Sequence, residues 1–229
     1  MSEVRKQGSK TSAHRKSEFK FEPVVVHSTQ IAHTWWGQAW NRNLENYADF
    51  SNRLPRGKSY LRSGMLQGLC VDNAYQGDIM GLVQGSRRKP YEVLVRIQPL
   101  GKEKWQHIVG LCENKIAHVA TLLESRFSPE LGAIFLNQKF GLFPAPGEIV
   151  MACTCPDWSH MCKHVATTLY AIGAKLDTNP ALLFELRGVD IYDLLLKSSE
   201  SKLENILNNA HSSSSRIISD EYIDKLFNL

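Results

Sequence analysis

Four ligands suited to a soft metal ion fall within twelve residues of this 229-residue chain: Cys153 and Cys155, one residue apart, then Cys162 and His164, again one residue apart. Thiolate and neutral imidazole are the donors Zn²⁺ prefers, and four of them close a tetrahedron with no open position. The chemistry implied is therefore a structural staple and not an activated water. Other readings fit less well. Clustered core cysteines explain neither the paired spacing nor the histidine. A redox CxC pair or an iron–sulfur site accounts poorly for His164 and for the uneven spacing. His160, in the spacer, offers a competing imidazole.

Spacing constrains the elements that must carry these ligands. On a helix, positions i and i+2 point about 200° apart, so one helix cannot aim Cys153 and Cys155 at one ion. On a strand they share a face. The lead-in Glu148–Ala152 thus reads as a strand ending at the first ligand pair, and Pro156 and Asp157 turn the chain. Cys162 then precedes a helix whose first turn holds His164, where unpaired N–H groups and the dipole favour thiolate. A small metal site cannot bury Leu169, Tyr170 and Ile172 of that helix alone. Two further segments are expected to cover it: a helix opened by Asn179 and Pro180 and ending at Gly188, and a turn or two over Asp190–Lys197.

At 43% hydrophobic, the chain can bury a core of its own, which makes the metal a local staple. No run of eighteen apolar residues occurs and the first residues are polar, so a cytoplasmic protein without a membrane partner is expected. Three thiolates committed to a metal need a reducing compartment; Cys70 and Cys112 read as core residues. Residues 1–22, rich in Ser, Lys and Arg, read as a disordered basic tail. Trp36, Trp40, Leu44 and Tyr47 recur at helical spacing and read as core, leaving Trp35, off that stripe, as the tryptophan open to stacking. Strands are expected over 65–72, 78–84 and 91–97, joined as an antiparallel meander. A helix over 101–125 should pack across them, and Ser128 with Pro129 opens a short helix to 137.

The fold class is therefore α+β: a small antiparallel sheet with covering helices, plus a structural-zinc module with C-terminal helices. The Gly- and Pro-rich stretch after Phe140 divides the chain into units 23–140 and 141–197. A linker and an amphipathic acidic helix follow in 198–229, where Tyr222, Ile223, Leu226 and Phe227 form an apolar face suited to a protein partner.

The net charge of +4 is unevenly spread. Residues 190–229 hold seven acids against four bases, a net of −3, so the preceding 189 residues carry +7. Residues 52–64 contain Arg53, Arg56, Lys58 and Arg62 with no acid, and their Gly and Pro content argues for a loop. Arg87, Arg88 and Lys89 occupy the connection between the second and third strands. A meander puts both stretches at one end of the sheet, so seven cations should converge on one anion-binding patch. Lys163, between two metal ligands, adds another candidate phosphate contact; Arg187 is a lesser one. No nucleophile lies beside a base, no acidic cluster suits a catalytic metal and no GxxxxGK[ST] loop occurs, which argues against an enzyme with a small-molecule substrate. No basic recognition helix is evident, which argues against sequence-specific readout.

The CxC and CxH pairs resemble the SWIM-type zinc finger. Companion stretches at Thr34–Trp40, Asn52–Gly57, Tyr60–Gly64, Val83–Ser86 with Pro90 and Tyr91, Gly141–Pro144 and Leu186–Gly188 extend the resemblance to bacterial SWIM zinc finger family proteins. All four ligand positions are present. What the resemblance implies is a DNA-binding or protein-interaction module that accompanies Swi/Snf-type helicases. The expectation is a zinc-binding, nonenzymatic adaptor that binds nucleic acid, DNA favoured, without sequence specificity. The alternative is a protein–protein interaction module with no direct nucleic-acid contact.

Overall fold

The computed structural model describes residues 20–49, 51–72, 77–113, 115, 128–137 and 139–210. In chain order the elements are α1 (Trp35–Asn43) with a 3₁₀ turn (Leu44–Tyr47), α2 (Arg53–Arg62), β1 (Leu66–Asp72), β2 (Asp78–Val83), β3 (Tyr91–Ile97), α3 (Lys102–Cys112), α4 (Pro129–Phe135), β4 (Ile149–Cys153), α5 (Lys163–Leu176), α6 (Leu182–Leu186) and α7 (Ile191–Ala210). The four strands form one antiparallel sheet in the order β1-β2-β3-β4. Along β3, Tyr91, Val93, Val95 and Ile97 point into the core while Glu92, Leu94 and Arg96 face outward. That alternation is the period-2 pattern legible in the sequence.

The inner face of the sheet is covered by α5, which touches all four strands as well as α1, α2 and α6. Burial extends nearly all round this helix, from His164 to Leu176, as expected of a helix at the centre of a domain. From α1, the indole N–H groups of Trp36 and Trp40 donate to the Leu176 and Leu169 carbonyls at 2.7 and 2.9 Å. Each buried indole thus keeps its polar edge satisfied. Trp35 is not open to stacking: it is half-buried, edge-on to Trp36 and packed on Gly132 of α4.

Several expectations are corrected. The sheet has four strands, not three, because the segment leading to the cysteines pairs with β3, Ile149 opposite Ile97 and Cys153 opposite Val93. The described residues on both sides of 140 share one core, in which Trp40, Ile79, Val95, Ile149, Leu169 and Leu186 belong to a single cluster. Residues 53–62 are a helix, not a loop. Pro55 sits in its first turn, where its missing N–H would have had no intrahelical acceptor. Gly57 lies where α2 meets α5, and a Cβ there would come within 2.5 Å of the Ala166 Cβ. The glycine that argues locally against a helix is what lets this helix approach α5.

Helix α3 stops at Cys112, because Glu113 adopts an extended ψ of 141°; residues 116–125 of the longer expected helix lie outside the described residues. Helix α7 runs twenty residues to Ala210 instead of ending at Lys197, since no Gly or Pro interrupts it. At the N-terminal side, Glu22 and Leu69 exchange two backbone hydrogen bonds of 2.8 Å, an isolated bridge that ties Glu22 to the edge strand β1 and takes it out of the expected tail. Residues 1–19, and the apolar face of Tyr222, Ile223, Leu226 and Phe227, lie outside the described residues. No helix among the described residues is long and apolar enough to cross a membrane.

Candidate metal centre

Cys153 is the last residue of β4, and Cys155 follows in the bend beyond it. Pairing continues one residue past the strand: the Thr154 N–H donates to the Glu92 carbonyl and the Glu92 N–H to the Thr154 hydroxyl, both at 3.0 Å. Cys162 is the N-cap of α5, and His164 lies in its first turn. A strand end and a helix start, eight residues apart between Cys155 and Cys162 inclusive, thereby face each other.

The four ligand atoms lie within 4.8 Å of one another. His164 Nδ1 is 3.8 Å from both the Cys153 and the Cys162 sulfur. Tetrahedral zinc with Zn–S of about 2.3 Å and Zn–N of about 2.0 Å requires an S···N edge of about 3.5 Å. The cluster is thus set to hold a metal ion, and its sulfur-rich donor set suits zinc. Cys162 and His164 are buried, 1% and 3% exposed, while Cys153 and Cys155 are half-buried. Cys162 is held well below the ordinary thiol range, because Cys153 donates to it; burial opposes this, and His164 and the Val165 N–H reinforce it. Cys153, the donor of that pair, is shifted upward. A metal held by these residues would take the place of the proton between Cys153 and Cys162, since each ligating sulfur must be thiolate. His160 is exposed and lies outside the cluster, so it does not compete.

The far side of His164 faces the basic segments. Its ring lies between Tyr91, at 4.6 Å between centroids, and Tyr60, at 5.7 Å and edge-on. With Nδ1 turned to the cysteines, the proton belongs on Nε2, which is buried without a hydrogen-bond partner. Gly85 closes over it: a Cβ there would come within 3.1 Å of Nε2 and overlap the Tyr91 ring. Gly85, the second residue of the β2–β3 connection, therefore rests directly on a candidate metal ligand. Lys163 lies 4.4 Å over the Tyr60 ring and Arg87 5.3 Å over the Tyr91 ring. Two cation–π pairs thus flank the imidazole.

The other expected cations are placed unevenly. Arg88 and Lys89 are exposed beside Arg87, and Arg62 is exposed at the end of α2. That end is joined to the β2–β3 connection through Met65, whose N–H donates to the Tyr60 carbonyl and whose carbonyl accepts the Gln84 N–H. Arg56 is exposed, and Lys58 lies 5.2 Å over the Tyr170 ring. Arg53 does not converge with them. A helix separates it from Arg62 by roughly 14 Å, and its guanidinium pairs with Asp157 at 3.1 Å, 18% exposed. It is a strut that holds the metal loop to α2. Arg187 is buried, 1% exposed, and donates to the Gln98 carbonyl at 2.8 Å and to Glu148 at 3.2 Å; it is not a surface contact.

Spacing alone gives no reason to single out Tyr60, Tyr91, Asp157 or Trp158, all of which stand around the centre. The one available signal for Trp158 is its place as a large aromatic between the two ligand pairs.

No family model matches this chain, and no solved structure matches it. It is 33% identical over 175 residues to the uncharacterized protein Rv2102 of Mycobacterium tuberculosis, a match that covers 76% of this chain. The chain spans 62% of the length of that relative.

Proposed function

We propose that this chain is a nonenzymatic, zinc-stabilised adaptor of the SWIM type that binds nucleic acid, DNA favoured, by phosphate contacts that do not read sequence. The observation that carries this reading is the basic and aromatic cluster built around His164, in which Lys163–Tyr60 and Arg87–Tyr91 flank the imidazole and Arg62, Arg88 and Lys89 lie exposed nearby. Cations held over tyrosine faces lose less freedom when they meet phosphate, and guanidinium groups bind it bidentately. A Cys₃His site saturates its metal, so the ion supplies rigidity to this face and no catalytic water. Work beside a Swi/Snf-type helicase follows from the SWIM resemblance.

The test is charge reversal away from the metal ligands. Arg87→Glu with Arg88→Glu is expected to weaken duplex DNA binding equally across sequences and to reduce the slope of log K on log salt by about 2, one per lost phosphate contact. Unchanged affinity and slope would remove these residues from the interface.

A second reading, a protein-interaction module, is favoured by the outer face of α7. Tyr192, Leu196, Leu203, Ile206 and Leu207 are each at least 52% exposed and fall on one helical face, at steps of four, seven and three residues with Leu207 beside Ile206, a seam suited to a partner's amphipathic helix. Under this reading the host's Swi/Snf-type helicase stays bound to the immobilised chain at high salt, and Leu196→Glu with Leu203→Glu releases it. A helicase that is not retained by the unaltered chain would dismiss this reading.

A further inference from the structure

We infer that Trp158 is a stacking platform for an unpaired nucleotide base, which makes a single strand the preferred ligand of this chain; this rests on the nucleic-acid reading above. The Trp158 side chain is 83% exposed, whereas Trp36, Trp40 and Trp105 are buried and Trp35 is half-buried. Exposure of so much aromatic surface runs against the strong tendency of tryptophan to be covered.

The loop that carries it is fixed on every side. Cys155 and Cys162 bracket it. Asp157 accepts the Ser159 hydroxyl at 2.7 Å and the Ser159 N–H at 3.3 Å, and it pairs with Arg53 at 3.1 Å. The His160 N–H donates to Asp49 at 2.6 Å. The indole is therefore presented on a backbone that needs little further ordering, which lowers the entropic cost of a contact.

The surroundings distinguish a base from a protein partner. Between residues 153 and 164, Trp158 is the only large hydrophobic side chain that is exposed among the described residues. A protein hot spot would be ringed by surface able to exclude water; a base needs one flat π face with cations at backbone distance. Arg56 is exposed on the helix to which Arg53 ties the loop, and Lys163 opens α5 five residues after Trp158. In a duplex the base faces are already stacked, and an inserted side chain must first unstack them. A single strand offers them directly.

The experiment titrates the zinc-loaded chain with oligothymidylate, oligouridylate and a duplex, following tryptophan emission and the anisotropy of labelled strands. Single strands are expected to quench the exposed indole. Trp158→Ala should weaken single-strand binding by about 5- to 150-fold while leaving duplex affinity and zinc content unchanged, and Trp158→Tyr should restore much of the loss. Quenching by either oligomer supports the platform, and the tighter of the two assigns the sugar. If Trp158→Ala binds single strands as tightly as the unaltered chain, the platform is wrong and the phosphate face stands. If the unaltered chain binds none of the three, the nucleic-acid reading fails and the platform with it.

Discussion

In Cys162→Ser, bound zinc is expected to fall from one ion per chain to none, and the unfolding midpoint to drop by about 8–16 °C. Cys162 caps α5 and is buried, and α5 is the helix against which the whole sheet, α1 and α2 pack. Metal-binding free energy is folding free energy where the unfolded chain holds no preformed site. Losing a staple at the root of the central helix belongs with the largest single-residue effects, about 4 kcal/mol, and each kcal/mol moves the midpoint of a domain this size by about 2–4 °C. Cys70→Ala is the control: Cys70 is buried in β1, away from the cluster, and its loss should leave the zinc in place. Metal analysis and thermal unfolding of both variants decide the matter. One zinc per chain in Cys162→Ser would overturn the ligand set.

Glu148→Ala is expected to destabilise the fold by about 3–5 kcal/mol, the cost of leaving a buried charge without its partner. Glu148 stands at the entrance to β4 and receives both Lys104 and the buried Arg187 at 3.2 Å. Arg187 in turn fastens α6 to the sheet through the Gln98 carbonyl. Burial acts to raise the Glu148 pKa, but the Ala145 N–H, Arg187 and Lys104 together outweigh it and hold the carboxyl below its usual range. A depressed carboxylate contributes fully above its unfolded pKa of about 4.3 and is lost as pH falls through the folded value. The unaltered chain should therefore lose stability as the pH drops below about 4, a decline that Glu148→Ala makes shallower without abolishing it, since the Asp157 and Glu22 carboxyls are also held below their usual range. Denaturant unfolding at neutral pH and across the acid range measures both effects. A variant within about 1 kcal/mol of the unaltered chain would show that Arg187 finds another partner.

The candidate metal ligands were legible because they are local: two pairs within twelve residues, on a strand end and a helix start whose periodicities allow only one assignment. The meander was legible for the same reason: three short apolar runs separated by turn residues, the third alternating strictly. What escaped depends on residues far apart in the chain. Gly57 marks a breaker until Ala166 is packed against it, and then it marks a helix crossing. Arg53 looks like a surface cation until Asp157, 104 residues away, takes it as a partner. Arg187 does so until Glu148 and Gln98 bury it. That the segment before Cys153 is the fourth strand of one sheet, and not the start of a separate module, follows from the register of β3 with β4, which no local pattern encodes.

The most direct test of the account is fluorescence anisotropy of the zinc-loaded chain with labelled nucleic acid across a salt series. Micromolar or tighter binding at low salt is expected, with log K falling linearly on log salt at a slope of about −0.7 to −0.9 for each phosphate neutralised. Binding that is absent at low salt, or present with no dependence on salt, would contradict a phosphate-binding face around His164 and leave the apolar seam of α7 as the surface through which this chain acts.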